Sequence, residues 1–251
     1  MLYLQAKVIP LSFSQLRDSL YNSHLACERG IVDVWLLSAR LDANDRASCG
    51  AVLSFDERER ARKFRFSIDQ DRFIVGRAGL RQVLSQYCAQ DPAMLLFQSG
   101  SHGKPLLVQQ SLKVKFNVSH AGAYVLIGIA EDVECGVDIE QPHARISEQQ
   151  IATRFFCPRE VEWMGRAELG FARLWTMKEA VMKAVGWGLT IPLNAIDVVD
   201  VAEGRTSRLL VEATGQEPLT LWVQELNLLE GYATSVAAVG SDHAIRIHAG
   251  P

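Results

Sequence analysis

The segment Gly136-Val137-Asp138-Ile139-Glu140 constrains this chain more than any other. Its alternation fits a β-strand, in which residues i and i+2 point to one face about 6.5–7 Å apart. Val137 and Ile139 then enter a core, and Asp138 and Glu140 present two carboxylates on the opposite face. Like charges held side by side are costly unless a cation neutralises them. Two readings are open. The pair binds a hard divalent ion, which takes oxygen ligands, or it is the acidic face of an edge strand that meets solvent.

The 251 residues, 48% apolar and 22% charged, have material for a sizeable core, as one large domain or two packed halves of about 120 residues. A net charge of −3 gives no global drive towards nucleic acid or an anionic membrane, so neither is expected as a partner. Any phosphate site must then be a local basic patch. The five cysteines, Cys27, Cys49, Cys88, Cys135 and Cys157, form no C-x-x-C pair. That argues against a disulfide framework or a cysteine zinc site and for a reducing compartment. The first residues lack the pattern of a signal peptide. No run approaches the roughly 18 apolar residues of a membrane span. A soluble cytoplasmic protein is the expectation.

Residues 1–30 show no clear period and read as an N-terminal extension. A strand is expected over 31–37. Ser54 with Glu57 three residues on marks a helix start. A second helix fits 69–87, a Gly/Pro loop 100–105, and strands 114–118, 124–130 and 135–140. Helical text resumes at Ser147 and at Pro158, and 171–185 is the clearest helix. From Ile191 on, AIDVVDV, RLLVEA, LTLWVQEL and YATSVAAV read as an antiparallel meander. The plan divides the chain into an N-terminal half, 31–133, and a C-terminal half, 134–251, which carries the acidic strand. An internal duplication is compatible with this plan.

Three further constellations bear on chemistry. Trp175, Glu179 and Lys183 stand at i, i+4 and i+8 on one helix face. Glu179 and Lys183 are either a surface pair worth a few tenths of a kcal/mol or a metal ligand beside a phosphate clamp or general acid. Trp175 on that face implies partial burial. Phe116-Asn117-Val118-Ser119-His120, followed by Ala121-Gly122, either offers a phosphate site at a strand end or forms a capped turn. Adjacent strand residues point to opposite faces, which disfavours a Ser/His hydrolase. In Gly103-Lys104-Pro105 the proline fixes a loop that can hold Lys104 against a flat base.

In order, GKP, FNVSHAG, GVDIE, RFF followed by PRE, and WTMKEAVMKAVGWGL resemble the Sfp-type 4'-phosphopantetheinyl transferases over residues 54–189. The resemblance implies a pseudo-twofold α+β fold of two similar halves with antiparallel sheets, with coenzyme A as co-substrate in the cleft between them. It implies transfer of the 4'-phosphopantetheine arm to a serine of an apo acyl, peptidyl or polyketide carrier protein, with release of 3',5'-ADP. Carried over by position, Asp138, Glu140 and Glu179 are the metal ligands, and Glu160 is the base for the carrier serine. Lys183 contacts phosphate and protonates the departing group. Lys104 and Pro105 contact adenine, and Arg60, Arg72, Ser119 and His120 surround the 3'-phosphate. The carboxylates alone do not choose Mg²⁺ over Mn²⁺. A site formed within one chain implies a monomer. Glu57 departs from the pattern, standing where relatives can carry Lys. The alternatives are a non-catalytic module that binds coenzyme A or a carrier, and a metal-dependent pyrophosphate hydrolase.

Overall fold

In the computed structural model, residues 8–21, 25, 27–100, 104–108, 113–142, 148–186, 191–212 and 217–250 are described. Gly103 and the WGL of the last motif fall outside them, as does Ser147. Strand β1 (Ile31–Ser38) buries both faces, as its nearly continuous apolar run requires. Trp35 and Leu37 enter one core, and Val32, Val34 and Leu36 another. Helices α1 (Phe13–Tyr21), α2 (Ala43–Val52), α3 (Phe55–Arg62) and α4 (Ser67–Cys88) belong to the first lobe. A small hairpin follows, β2 (Phe97–Ser99) with β3 (Pro105–Leu107), and then β4 (Val114–Ala121) and β5 (Tyr124–Glu131).

The second lobe opens with β6 (Cys135–Glu140), whose bounds are those expected from the alternation. Helices α5 (Glu148–Phe155), α6 (Pro158–Met164), α7 (Gly170–Val185) and α8 (Val199–Ala202) come next. Strands β7 (Arg208–Val211), β8 (Leu219–Leu226) and β9 (Ala233–Val239) complete the sheet β6-β9-β8-β7. The final strand, β10 (Ala244–His248), crosses to the first lobe and pairs parallel with β1, giving the order β10-β1-β5-β4.

The two lobes share one wiring. In each, a strand is followed by a long helix and then by a hairpin whose second strand pairs back on the first. The result is β1-β5-β4 with α4 and β6-β9-β8 with α7. The helices cover the outer sheet faces. Between the sheets lies a third core, in which Val34, Leu36 and Leu126 meet Val137, Ile139 and Trp222. This helix–sheet–sheet–helix layering sets β4 beside β6: the Val137 N–H donates to Asn117 Oδ1 at 3.0 Å.

Local signals explain several element ends. Ser54 caps α3 reciprocally: the Glu57 N–H donates to its Oγ at 3.2 Å, and Glu57 Oε2 accepts from the Ser54 N–H at 2.9 Å. Glycine at Gly186, with φ of +69°, closes α7 by donating to Met182 O at 3.0 Å. The structure also corrects two expectations and adds a strand. Residues 13–21 of the N-terminal extension are a helix that buries Phe13, Leu16 and Leu20. The stretch AIDVVDV is not a strand but the end of a 3₁₀ turn and the start of α8. Its backbone is satisfied by side chains instead of a ladder: Lys178 Nζ donates to Leu193 O and Ile196 O, and the Val198 N–H donates to Glu160. The residues after Gly240 are β10, held by Arg246 and His248 on the buried Asp33.

Candidate active site

The acidic strand face becomes a cluster where β6 meets α7 and β4. Gly136 makes the approach possible, since a Cβ there would lie 2.6 Å from the Ala184 N and would also strike Ala180 O. With the strand this close, Lys183 reaches across from the helix. Its Nζ donates to Asp138 Oδ1 at 2.6 Å and to Ser119 Oγ at 3.1 Å. Ser119 in turn donates to the same oxygen at 2.7 Å. Asp138 is buried, and its second oxygen, Oδ2, has no hydrogen-bond partner.

Glu140 and Glu179 complete the negative side. Burial, followed by the Asp138 charge, pushes the Glu140 carboxyl up to about 7, against the pull of Lys183. Burial also raises Glu179, with Lys183 opposing and Asp138 adding to the rise. As a trio the oxygens of Asp138, Glu140 and Glu179 do not gather within 4.8 Å of one another. Lys183 and Ser119 hold one Asp138 oxygen aside. A buried, unpartnered oxygen beside two carboxylates that resist ionisation nevertheless fits a hard divalent cation, which takes such donors and relieves their repulsion.

Next to the cluster a cleft of about 360 Å³ brings together Arg60, Arg72, Pro105 and His120. The Arg72 guanidinium is paired with Asp69, yet its buried Nε has no partner. Arg77 also lines this cleft, a residue the motifs did not single out. Its signal was the helical spacing of the cleft-facing residues Phe73, Gly76, Arg77 and Leu80. Arg77 pairs with Glu57 at 2.7 Å, and Glu57 also binds Arg81 at 2.8 Å. The departure at Glu57 is thereby accounted for, because its carboxylate caps α3 and anchors it to α4. Lys104 lies apart from this wall: its Nζ binds Glu134 at 3.0 Å and Lys183 O at 3.1 Å, steadying the end of α7. Trp175 stacks on Phe171 at 5.7 Å and, with Glu140, borders a smaller apolar groove.

Glu160 is not placed to serve as a base for an incoming serine. Its side chain is 0% exposed, and Lys178, likewise 0% exposed, holds it at 2.8 Å. The Cys157 and Val198 N–H groups occupy its two oxygens at 2.8 and 3.1 Å. Cys157, Glu160 and Asp197 do bring three ligating atoms within 4.8 Å. The Glu160 charge is already met by Lys178 and that of Asp197 by Arg159, so this group has no charge left for an ion.

Fold and site together define a class: a two-lobed α+β protein with an arginine-lined cleft and, on the strand beside its His120 wall, a largely buried carboxylate cluster. Sequence profiles described as the 4'-phosphopantetheinyl transferase superfamily and as the 4'-phosphopantetheinyl transferase N-terminal region match residues 134–237 and 43–132. A phosphopantetheinyl transferase of a Thraustochytrium species is 31% identical over 244 residues, covering 86% of this chain and 83% of that one. The Nostoc 4'-phosphopantetheinyl transferase HetI is 32% identical over 165 residues, 63% of this chain and 70% of its own. The Synechocystis protein slr0495, named provisionally for the same activity, is 37% identical over 153 residues, 58% of this chain. The chain spans 62% of the length of that Synechocystis relative. This chain belongs to the 4'-phosphopantetheinyl transferase superfamily.

Proposed function

We propose that this protein transfers the 4'-phosphopantetheine moiety of coenzyme A to a serine hydroxyl of an apo carrier protein and releases 3',5'-ADP. The observation that carries this reading is Asp138, with one oxygen shared by Lys183 and Ser119 and the other buried and unpartnered. Such an arrangement suits a pyrophosphate, whose closely spaced negative charge needs cations on several sides. A divalent cation held by Asp138, Glu140 and Glu179 would supply charge neutralisation and polarise the attacked phosphorus.

The chain's own residues then have defined tasks. Arg60, Arg72 and His120 hold the 3'-phosphate in the cleft, with Pro105 shaping the wall for the nucleoside. The carrier serine oxygen bonds to the phosphorus that bears the pantetheine arm. The bond from that phosphorus to the bridging oxygen breaks, and its electron pair leaves with 3',5'-ADP. Lys183 lies beside Asp138 to offset the charge that develops on the departing oxygen. The serine proton passes to the Glu179 carboxylate, which burial raises above the ordinary carboxylate range. Glu160 keeps a structural task instead.

Incubation of an apo acyl carrier protein with coenzyme A, Mg²⁺ and this protein should add one phosphopantetheine arm, read by intact mass. Asp138→Ala should lower the rate on the order of 10²–10³-fold with the fold retained. Coenzyme A binding with no mass gain on acyl, peptidyl and polyketide carriers would replace this reading by the non-catalytic one.

A further inference from the structure

The edge strands of the two sheets, β4 and β6, lie side by side and are joined by a series of side-chain links. The Cys135 thiol reaches Lys115 O at 3.9 Å, the Val137 N–H donates to Asn117, and Ser119 donates to Asp138. A further link lies just past the site, where the β4–β5 turn of the first lobe meets Gln141 and Tyr232 of the second. The Tyr232 hydroxyl donates to Gln141 Oε1 at 3.1 Å. Its ring packs edge-on against Tyr124, with centroids 5.1 Å apart and planes at 83°. Gly122 makes room for both groups, since a Cβ there would strike the Tyr232 hydroxyl and lie 2.8 Å from Gln141 Oε1. Its φ of +53° also favours glycine.

This link sits between the two ends of the site. His120, on the cleft wall, stands two residues before Gly122, and Glu140, in the carboxylate cluster, is the neighbour of Gln141. Tyr232 precedes Ala233, the partner of Glu140 across the β6–β9 pair. A ligand held at two points binds tightly only when the points match its own span, because its second contact is then made at a high effective concentration. Coenzyme A is such a ligand, with its 3'-phosphate at one end and its pyrophosphate at the other. We propose that Tyr232 and Gln141 are positioning residues that hold the His120 turn at a fixed distance from Glu140, so that coenzyme A engages both ends at once, an inference that rests on the transfer reading above. Both act through the spacing of other groups.

The test is steady-state transfer to an apo acyl carrier protein by the full chain, with coenzyme A and with 3'-dephospho-coenzyme A as alternative donors. Wild type should prefer coenzyme A. Tyr232→Ala should raise KM for coenzyme A roughly tenfold and KM for the dephospho donor by less than about twofold, because the latter has nothing to place at the His120 end. Tyr232→Phe keeps the ring and loses the bond to Gln141, so its preference should fall between the two. Gly122→Ala breaks the link from the other lobe and should narrow the preference in the same way. Adding Tyr232→Phe removes the atom that the new Cβ strikes and should restore part of it. Should Tyr232→Ala melt below the assay temperature, Tyr232→Phe carries the same comparison. An unchanged preference in the folded variants, or an equal loss with both donors, overturns the proposal, the second being what a merely structural role gives. A wild type that uses both donors equally well overturns it too. No transfer by the wild type from either donor overturns the transfer reading itself and this inference with it.

Discussion

Glu140 gives the residue scale its clearest measurable consequence. Its carboxyl is held at about 7 in the fold, against an ordinary carboxylate value of 4.5 in the unfolded chain. Between those values the native state binds more protons than the unfolded state, so metal-free stability falls as pH rises through that window. Melting temperature in EDTA should therefore drop from about pH 5 to about pH 7.5, and Glu140→Gln should flatten the slope. Mg²⁺ should raise the melting temperature more at the upper pH, where it binds carboxylates already ionised. Equal stabilisation at both pH values would count against Glu140 as a ligand.

At the scale of elements, two devices set α7 against its surroundings. Gly136 lets β6 press on the helix backbone, so Gly136→Ala should cost stability and separate Lys183 from Asp138. A loss of transfer larger than the loss of folded protein would show that separation. The Glu160–Lys178 pair ties α6 to α7 and to the turn before α8. Lys178→Met leaves a buried carboxylate without its cation and should cost about 3–5 kcal/mol in denaturant unfolding. The double variant Glu160→Gln/Lys178→Met should recover much of that loss, because no unpaired charge is left buried. Failure of the second substitution to rescue would argue that the pair acts otherwise.

Across the whole molecule, the last strand closes the first sheet on the edge opposite the site. Asp33 is buried and accepts from Arg246 Nε and His248 Nε2, both at 2.6 Å, while Trp35 stacks on His248 at 3.8 Å. Arg246→Ala should lower stability by about 1–2 kcal/mol, since Arg246 is a third exposed and His248 still holds the buried Asp33 carboxylate. Because β10 and the site strand β4 lie at opposite edges of one sheet, kcat well below the melting temperature should hardly change. A proportional loss of kcat would reveal coupling through the sheet.

The sequence alone determined the elements whose cause is local. Alternation in GVDIE defined β6 and its carboxylate face, spacing put Glu179 and Lys183 on one side of α7, and Ser54 with Glu57 marked the start of α3. The order of the motifs pointed to the family. Tertiary structure alone decided the roles that depend on distant neighbours. Glu160 looks equally exposed or buried in PRE, and only Lys178 and the Val198 amide, far along the chain, take it out of reach of a substrate. AIDVVDV has strand composition, yet side chains from α6 and α7 satisfy its backbone before any ladder does. Periodicity reports which side of an element is apolar. It carries no information on which charge a buried carboxylate will meet, and at Asp138 that meeting is what turns an acidic strand face into a site.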